Sequence, residues 1–172
     1  MSATEPPISS RRVDQPVSPG QLREIGLFGA LGDDALEFLC NSLETFRVMP
    51  GHVLFKEGDP AREMFVVLDG EIEILKKSRK GRDTRVAILG PNDAFGEMSI
   101  IDMQPRSATV RALGPARLMR LSSEDMEAFY RFDLKSYTLI VLNIARELSR
   151  RLRVTDGILA DFTANVLDEY VR

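Results

Sequence analysis

Apolar residues change their spacing twice along this chain. Between residues 33 and 43 they recur at Leu36, Leu39, Cys40 and Leu43, one face of a helix that Asp33 is placed to cap. From Phe46 to Leu121 the period drops to two. Short apolar segments at 53–55, 64–68, 72–75, 85–89, 108–112 and 117–121 alternate with turn punctuation such as Pro50-Gly51, Gly58-Asp59-Pro60, Asp69-Gly70, Gly90-Pro91 and Gly114-Pro115. Short strands separated by glycine turns predict an antiparallel sandwich or roll, so the fold class is mainly β with flanking helices. Ser122 with Asp125 three residues on is a capping-box pattern, opening a short helix to about Phe132.

The remainder returns to helical spacing. From Ser136 to about Tyr170 there is no proline, and Gly157 is the one helix-weakening residue. Val141, Ala145, Leu148, Leu152, Thr155, Leu159, Phe162 and Val166 alternate steps of four and three, a heptad seam. Ile140, Ile144 and Ile158 form a second apolar side, so this long helix needs two partners: the β-structure and a second copy of itself. At the other end, Pro6, Pro7, Pro16 and Pro19 among polar residues mark 1–20 as a flexible tail. The expected domains are therefore the tail 1–20, a β-rich domain at 21–132 and a dimerisation or lid helix at 133–172.

Composition narrows the function. The chain is 44% hydrophobic and 28% charged, with a net charge of −3, which argues against wholesale binding to nucleic acid or an anionic membrane. Cys40 and His52 are the sole residues of their kinds, which excludes an intramolecular disulfide, CxxC redox chemistry and a Cys/His zinc site. Cys40 reads as a small core residue and His52 as a strand-end histidine. No apolar run approaches the roughly 20 residues of a membrane span, and no signal-peptide core is present, so a cytoplasmic protein is expected. The cations Lys76, Lys77, Arg79, Lys80, Arg82 and Arg85 surround Gly81 and read as a solvated hairpin tip. Asp33 and Asp34 suit a helix start, and Met98 and Met103 are expected to fill gaps.

The chemistry concentrates in residues 95–110, FGEMSIIDMQPRSATV. Gly96 lets the backbone turn tightly between a strand and a helical turn at 97–101, whose free amides favour an anion. Glu97 at its mouth repels an anion unless a strong cation stands beside it. Arg106 supplies one, its planar fork matching two phosphate oxygens, and Ser107 adds a hydroxyl donor. A carboxylate accepting from sugar hydroxyls beside an arginine gripping a phosphate describes a ribose-phosphate recogniser.

FGE followed nine residues later by RSATV resembles the phosphate-binding cassette of the cyclic-nucleotide-binding domain family, of the catabolite activator protein and protein kinase A regulatory-subunit type. The resemblance spans about 24–170 and implies an eight-stranded antiparallel β-roll with N-terminal helices and a long C-terminal helix. It implies that Glu97 accepts the ribose 2′-hydroxyl and that Arg106 pairs with the exocyclic phosphate oxygens. Ser107 and the amides of Met98, Ser99 and Ala108, set by Gly96, would complete the cradle. Ile74, Val86 and Ala87 fall where the family packs apolar atoms around base and sugar, though core packing explains them equally well. RRLRVTDG at 150–157 resembles the family's long-helix stretch that reaches the base, which makes Thr155 and Asp156 base contacts. Thr155 reads equally as a polar register marker in the seam.

The implied function is a stand-alone sensor of cyclic AMP, or less favourably cyclic GMP, needing no metal and signalling through its C-terminal helix to a partner or to a homodimer. No helix-turn-helix follows the long helix in this sequence, so direct DNA binding is not expected, nor is membrane association. A ligand-independent dimeric adaptor is the alternative; the Glu97 and Arg106 pair counts against it, because an arginine buried without its phosphate is costly. No general base, metal cluster or nucleophile stands near the cassette, so an enzyme is not expected.

Overall fold

Eight strands form because the period-two segments each have an apolar face to bury. The computed structural model describes residues 17–170, and the side chains of 17–165. The strands are β1 (Glu44–Val48), β2 (Val53–Phe55), β3 (Glu63–Asp69), β4 (Ile72–Lys77), β5 (Asp83–Leu89), β6 (Ala94–Phe95), β7 (Thr109–Ala112) and β8 (Ala116–Ser122). They make two antiparallel four-stranded sheets, ordered β1-β8-β3-β6 and β2-β7-β4-β5. Phe46, Phe65, Val67, Phe95, Val110 and Leu118 fill the space between the sheets. The Phe65 and Phe95 rings stack with centroids 5.3 Å apart.

The run at 64–68 is apolar throughout because β3 is covered on both faces. Phe65 and Val67 face the other sheet, whereas Met64 and Val66 face the helices. Each such side chain taken from water stabilises the fold by about 1.5–3 kcal/mol. The far side of the second sheet is polar. There Glu73, 1% exposed, accepts from Arg85 Nε and Arg111 Nε, each at 2.6 Å, which offsets the cost of burying its carboxylate. The strands β4 and β5 end in the expected exposed basic hairpin tip.

Among the described residues five α-helices flank the roll: α1 (Pro19–Glu24), α2 (Asp33–Ser42), α3 (Met98–Ile101), α4 (Ser123–Phe132) and α5 (Leu134–Tyr170). Ser122 and Asp125 form the anticipated capping box of α4. Three expectations need correction. Gly32, not Asp33, is the N-cap of α2, and Asp33 takes the first helical position. The tail expected at 1–20 gives way to structure by Val17: that residue is buried, Ser18 caps α1 in a capping box with Gln21, and Pro19 opens the helix, where its missing N–H costs nothing. The rest of that tail lies outside the described residues. Thirdly, α5 buries Ile140 and Ile144 against the helices and the roll, but Ile158, assigned to the same side, is 65% exposed. The packing of α5 against this core extends to Leu148, so its second half lacks that support. Its seam residues Leu152, Leu159 and Phe162 are exposed as well, and the side chain of Val166 lies outside the described residues. Asn143 anchors the first half of α5, donating to the carbonyls of Leu27 and Gly29, each at 3.1 Å. Among the described residues no helix is long and apolar enough to cross a membrane.

Candidate functional site

Between the second sheet, the segment around α3 and one face of α5 lies a cavity of about 950 Å³. Gly96, Glu97, Met98, Ser99, Arg106, Ser107 and Ala108 line one end, carried there by β6, α3 and the approach to β7. Ile74, Val86 and Ala87 from the β4–β5 hairpin line the other, facing Leu152, Thr155 and Ile158 of α5. Residues as far apart as Ile74 and Thr155 thus line one cavity. Asp156 is not among the lining residues, because one step along a helix turns a side chain by about 100°. Met98 and Met103 are 43% and 87% exposed, so neither fills a gap as expected; Met98 lines the cavity.

Gly96 is set by two constraints. Its φ is +78°, and a Cβ there would stand 2.6 Å from Arg106 Nη1. Arg106 itself is 4% exposed. Its Nη1 donates to the Glu63 carbonyl at 2.6 Å and to the Gly96 carbonyl at 3.3 Å. The guanidinium lies over the Phe55 ring, 3.9 Å from its centroid, with the Glu63 carboxylate 3.7 Å from Nη2. Burial pushes its pKa down, while the Glu63, Asp59 and Glu97 carboxylates push it up. Nε is buried with no hydrogen-bond partner. One edge of the guanidinium fork is therefore taken by backbone carbonyls, and the other retains an unmet donor.

Glu97, 5% exposed, is paired with a residue that sequence reasoning missed. Arg151 of α5 donates from Nη1 to Glu97 Oε1 at 3.1 Å, from Nη2 to the Ala94 carbonyl at 2.6 Å and from Nε to Glu147 Oε1 at 3.0 Å. One guanidinium thus joins α5 to the cavity floor. Burial pushes the Glu97 carboxyl above the usual carboxylate range, and Arg151 pulls it back. The four-residue step from Glu147 to Arg151 was readable as a helical ion pair, but nothing local pointed to Glu97. Ser107 Oγ lies 3.6 Å from Met98 Sδ, and Thr155 Oγ1 donates to the Arg151 carbonyl at 2.9 Å. Phe55 and Lys76 are further lining residues the sequence did not single out as part of a site. Among the described residues no group of three His, Cys, Asp or Glu could hold a metal ion.

The arrangement, an apolar slot ending in a buried cation and a buried carboxylate, suits a ligand that is apolar and flat at one end and a sugar phosphate at the other. Known proteins carry the same frame. The CRP-like cAMP-activated global transcriptional regulator of Mycobacterium tuberculosis is 29% identical over 140 residues, which are 81% of this chain and 61% of the relative. This chain thus spans less than two thirds of that relative's length. The N-terminal domain of a transcriptional regulator from Streptomyces coelicolor A3(2) is 32% identical, with a TM-score of 0.68, over 76% of this chain and 94% of that domain. The Thermus thermophilus Catabolite Activator Protein gives 29% identity and a TM-score of 0.71 over 80% of this chain and 63% of that one. A family model described as the cyclic nucleotide-binding domain matches residues 45–132, the stretch from β1 to the end of α4 that holds the Glu97 and Arg106 end of the cavity. By that match and by its fold, this chain belongs to the cyclic nucleotide-binding domain family.

Proposed function

We propose that this chain is a regulatory sensor that binds cyclic AMP in preference to cyclic GMP and reports occupancy by repositioning α5. The observation that carries the reading is the half-used fork of Arg106. Two backbone carbonyls hold one edge in place, and the buried Nε of the other lacks an acceptor. A cyclic phosphate placed there would satisfy it with charge-assisted bonds, contributing about 1.5–3 kcal/mol. Glu97 would then accept the ribose 2′-hydroxyl, and Ser107 with the amides of Met98, Ser99 and Ala108 would enclose the phosphate. Ile74, Val86 and Ala87 would cover the base, with Thr155 meeting its edge. Asp156, turned off the cavity of its own chain, could meet a base only across a dimer. The preference for cyclic AMP rests on likeness to the mycobacterial relative, which is a cAMP-activated regulator.

The same geometry supports a route for the signal. Arg151 binds Glu97, so a sugar hydroxyl arriving at that carboxylate alters a bond that positions α5. A two-state helix position is biased by the ligand's differential affinity for the states, and a few kcal/mol suffice. The exposed Leu152, Leu159 and Phe162 give α5 an apolar strip on which a second copy would pack. Calorimetric titration with cyclic AMP and cyclic GMP tests the assignment, with Arg106→Ala as control. Saturable binding by the parent, lost or weakened about tenfold or more in the variant, is expected. Equal weak binding by both proteins would defeat it.

A further inference from the structure

The β4–β5 hairpin tip is exposed and basic, yet one of its cations belongs to the cavity. Lys76, at the end of β4, is the hairpin cation that lines it, alongside Ser107 and Ala108. Its ammonium donates to the Ser107 carbonyl, at the phosphate end, and to Glu57 Oε1 at 2.7 Å. Glu57 is itself fixed: its other oxygen accepts from the Lys77 amide at 3.1 Å, and its own amide donates to Thr109 Oγ1 at 3.0 Å. An ammonium has three donors, and two are committed. Of the other cations lining the cavity, Arg150 is bound to Glu147, and Arg151 to Glu147 and Glu97. Lys76 is the cation bonded to the Ser107 backbone, next to Arg106.

We infer that Lys76 is a ligand-binding residue, supplying a second positive charge to the ligand's phosphodiester and making the site select an anionic nucleotide over its uncharged nucleoside. The inference rests on the cyclic-nucleotide reading of the cavity. Arg106 alone faces the carboxylates of Glu63 at 3.7 Å and of Glu97 nearby, so its charge is already partly answered within the protein. A second cation restores a positive field where a monoanion must enter. The lysine is half exposed, which lets it keep hydration until the ligand arrives and limits its effect. Glu57 acts in this scheme as the counter-ion that holds the ammonium against the Ser107 carbonyl and moderates its charge.

The test uses the full chain, with cyclic AMP and adenosine as probes, titrated at low and high salt. Lys76→Gln keeps a donor for the Ser107 carbonyl and removes the charge. It should weaken cyclic AMP binding roughly five- to tenfold, flatten its salt dependence and leave adenosine binding unchanged. Lys76→Arg should restore both affinity and salt dependence. Glu57→Gln should tighten cyclic AMP binding about two- to threefold, because it unmasks the ammonium; were the pair merely a structural tether, the same change would weaken binding. An unaltered Lys76→Gln, or one that loses cyclic AMP and adenosine affinity equally, overturns this inference while the nucleotide site stands. A parent protein that binds neither cyclic nucleotide overturns both.

Discussion

Replacing Arg151 with methionine removes the guanidinium that bonds α5 to Glu97 and to the Ala94 carbonyl. The apolar stem is largely kept, so packing changes little, and the charge is lost. Glu97 then remains buried, its side chain 7% exposed, without the cation 3.1 Å away. Breaking a buried pair by removing one partner costs about 3–5 kcal/mol. Arg151 is a third exposed, so solvent screens part of that, and about 1–2 kcal/mol is expected. For a chain of this size the melting temperature should fall by about 3–6 °C at neutral pH.

The pH dependence gives the test its sign. Burial already holds the Glu97 carboxyl above its ordinary range, and Arg151 opposes that. For an acid whose folded pKa is raised, the native state binds the proton more tightly than the unfolded chain does. Its favourable contribution is full below the unfolded value, about 4.3, and is lost as pH rises through the folded pKa. Removing Arg151 raises the folded pKa further and deepens the loss at neutral pH. Thermal melts of parent and Arg151→Met at pH 7.5 and pH 5 should therefore differ more at the higher pH. In a Glu97→Gln background most of that pH-dependent gap should close, the residue coming from Glu147, which also pairs with Arg151. A melting-temperature difference that is the same at both pH values, or that survives intact in the Gln background, would refute this account of the pair.

Gly96→Ala combines a left-handed backbone cost of about 1–2 kcal/mol with a Cβ 2.6 Å from Arg106 Nη1; melting temperature and cyclic AMP affinity should fall together, and unchanged calorimetry would show that Arg106 is not positioned by this contact. Leu159→Glu with Phe162→Glu removes apolar side chains that are 61% and 66% exposed, so sedimentation velocity should show weaker self-association at an almost unchanged melting temperature; an unaltered sedimentation coefficient would rule this strip out as a dimer seam.

The elements of this protein were legible in the sequence where the physics is local. Alternation predicted the strands, glycine and proline predicted the turns, and the Ser122–Asp125 box marked the start of α4. The 95–107 segment was legible as a candidate for the same reason: Gly96, Glu97, Arg106 and Ser107 lie close along the chain, and all four line the cavity. Where exposure was misjudged, the surroundings that the fold sets were responsible. Met98 and Met103, expected to fill gaps, are both left exposed.

Tertiary structure decided what each charge is for. Glu97 and Arg151 are 54 residues apart, and Lys76 and Ser107 are 31 apart; only closure of the roll and the docking of α5 bring them together. Periodicity records which face of an element is apolar, but which partner covers that face, and for how many turns, depends on where the neighbouring elements end. That is why Ile140 and Ile158, assigned to one side of α5, are respectively sealed in the core and open to solvent. Local pattern is written by near neighbours along the chain, whereas a buried charge finds its counter-ion through the fold as a whole.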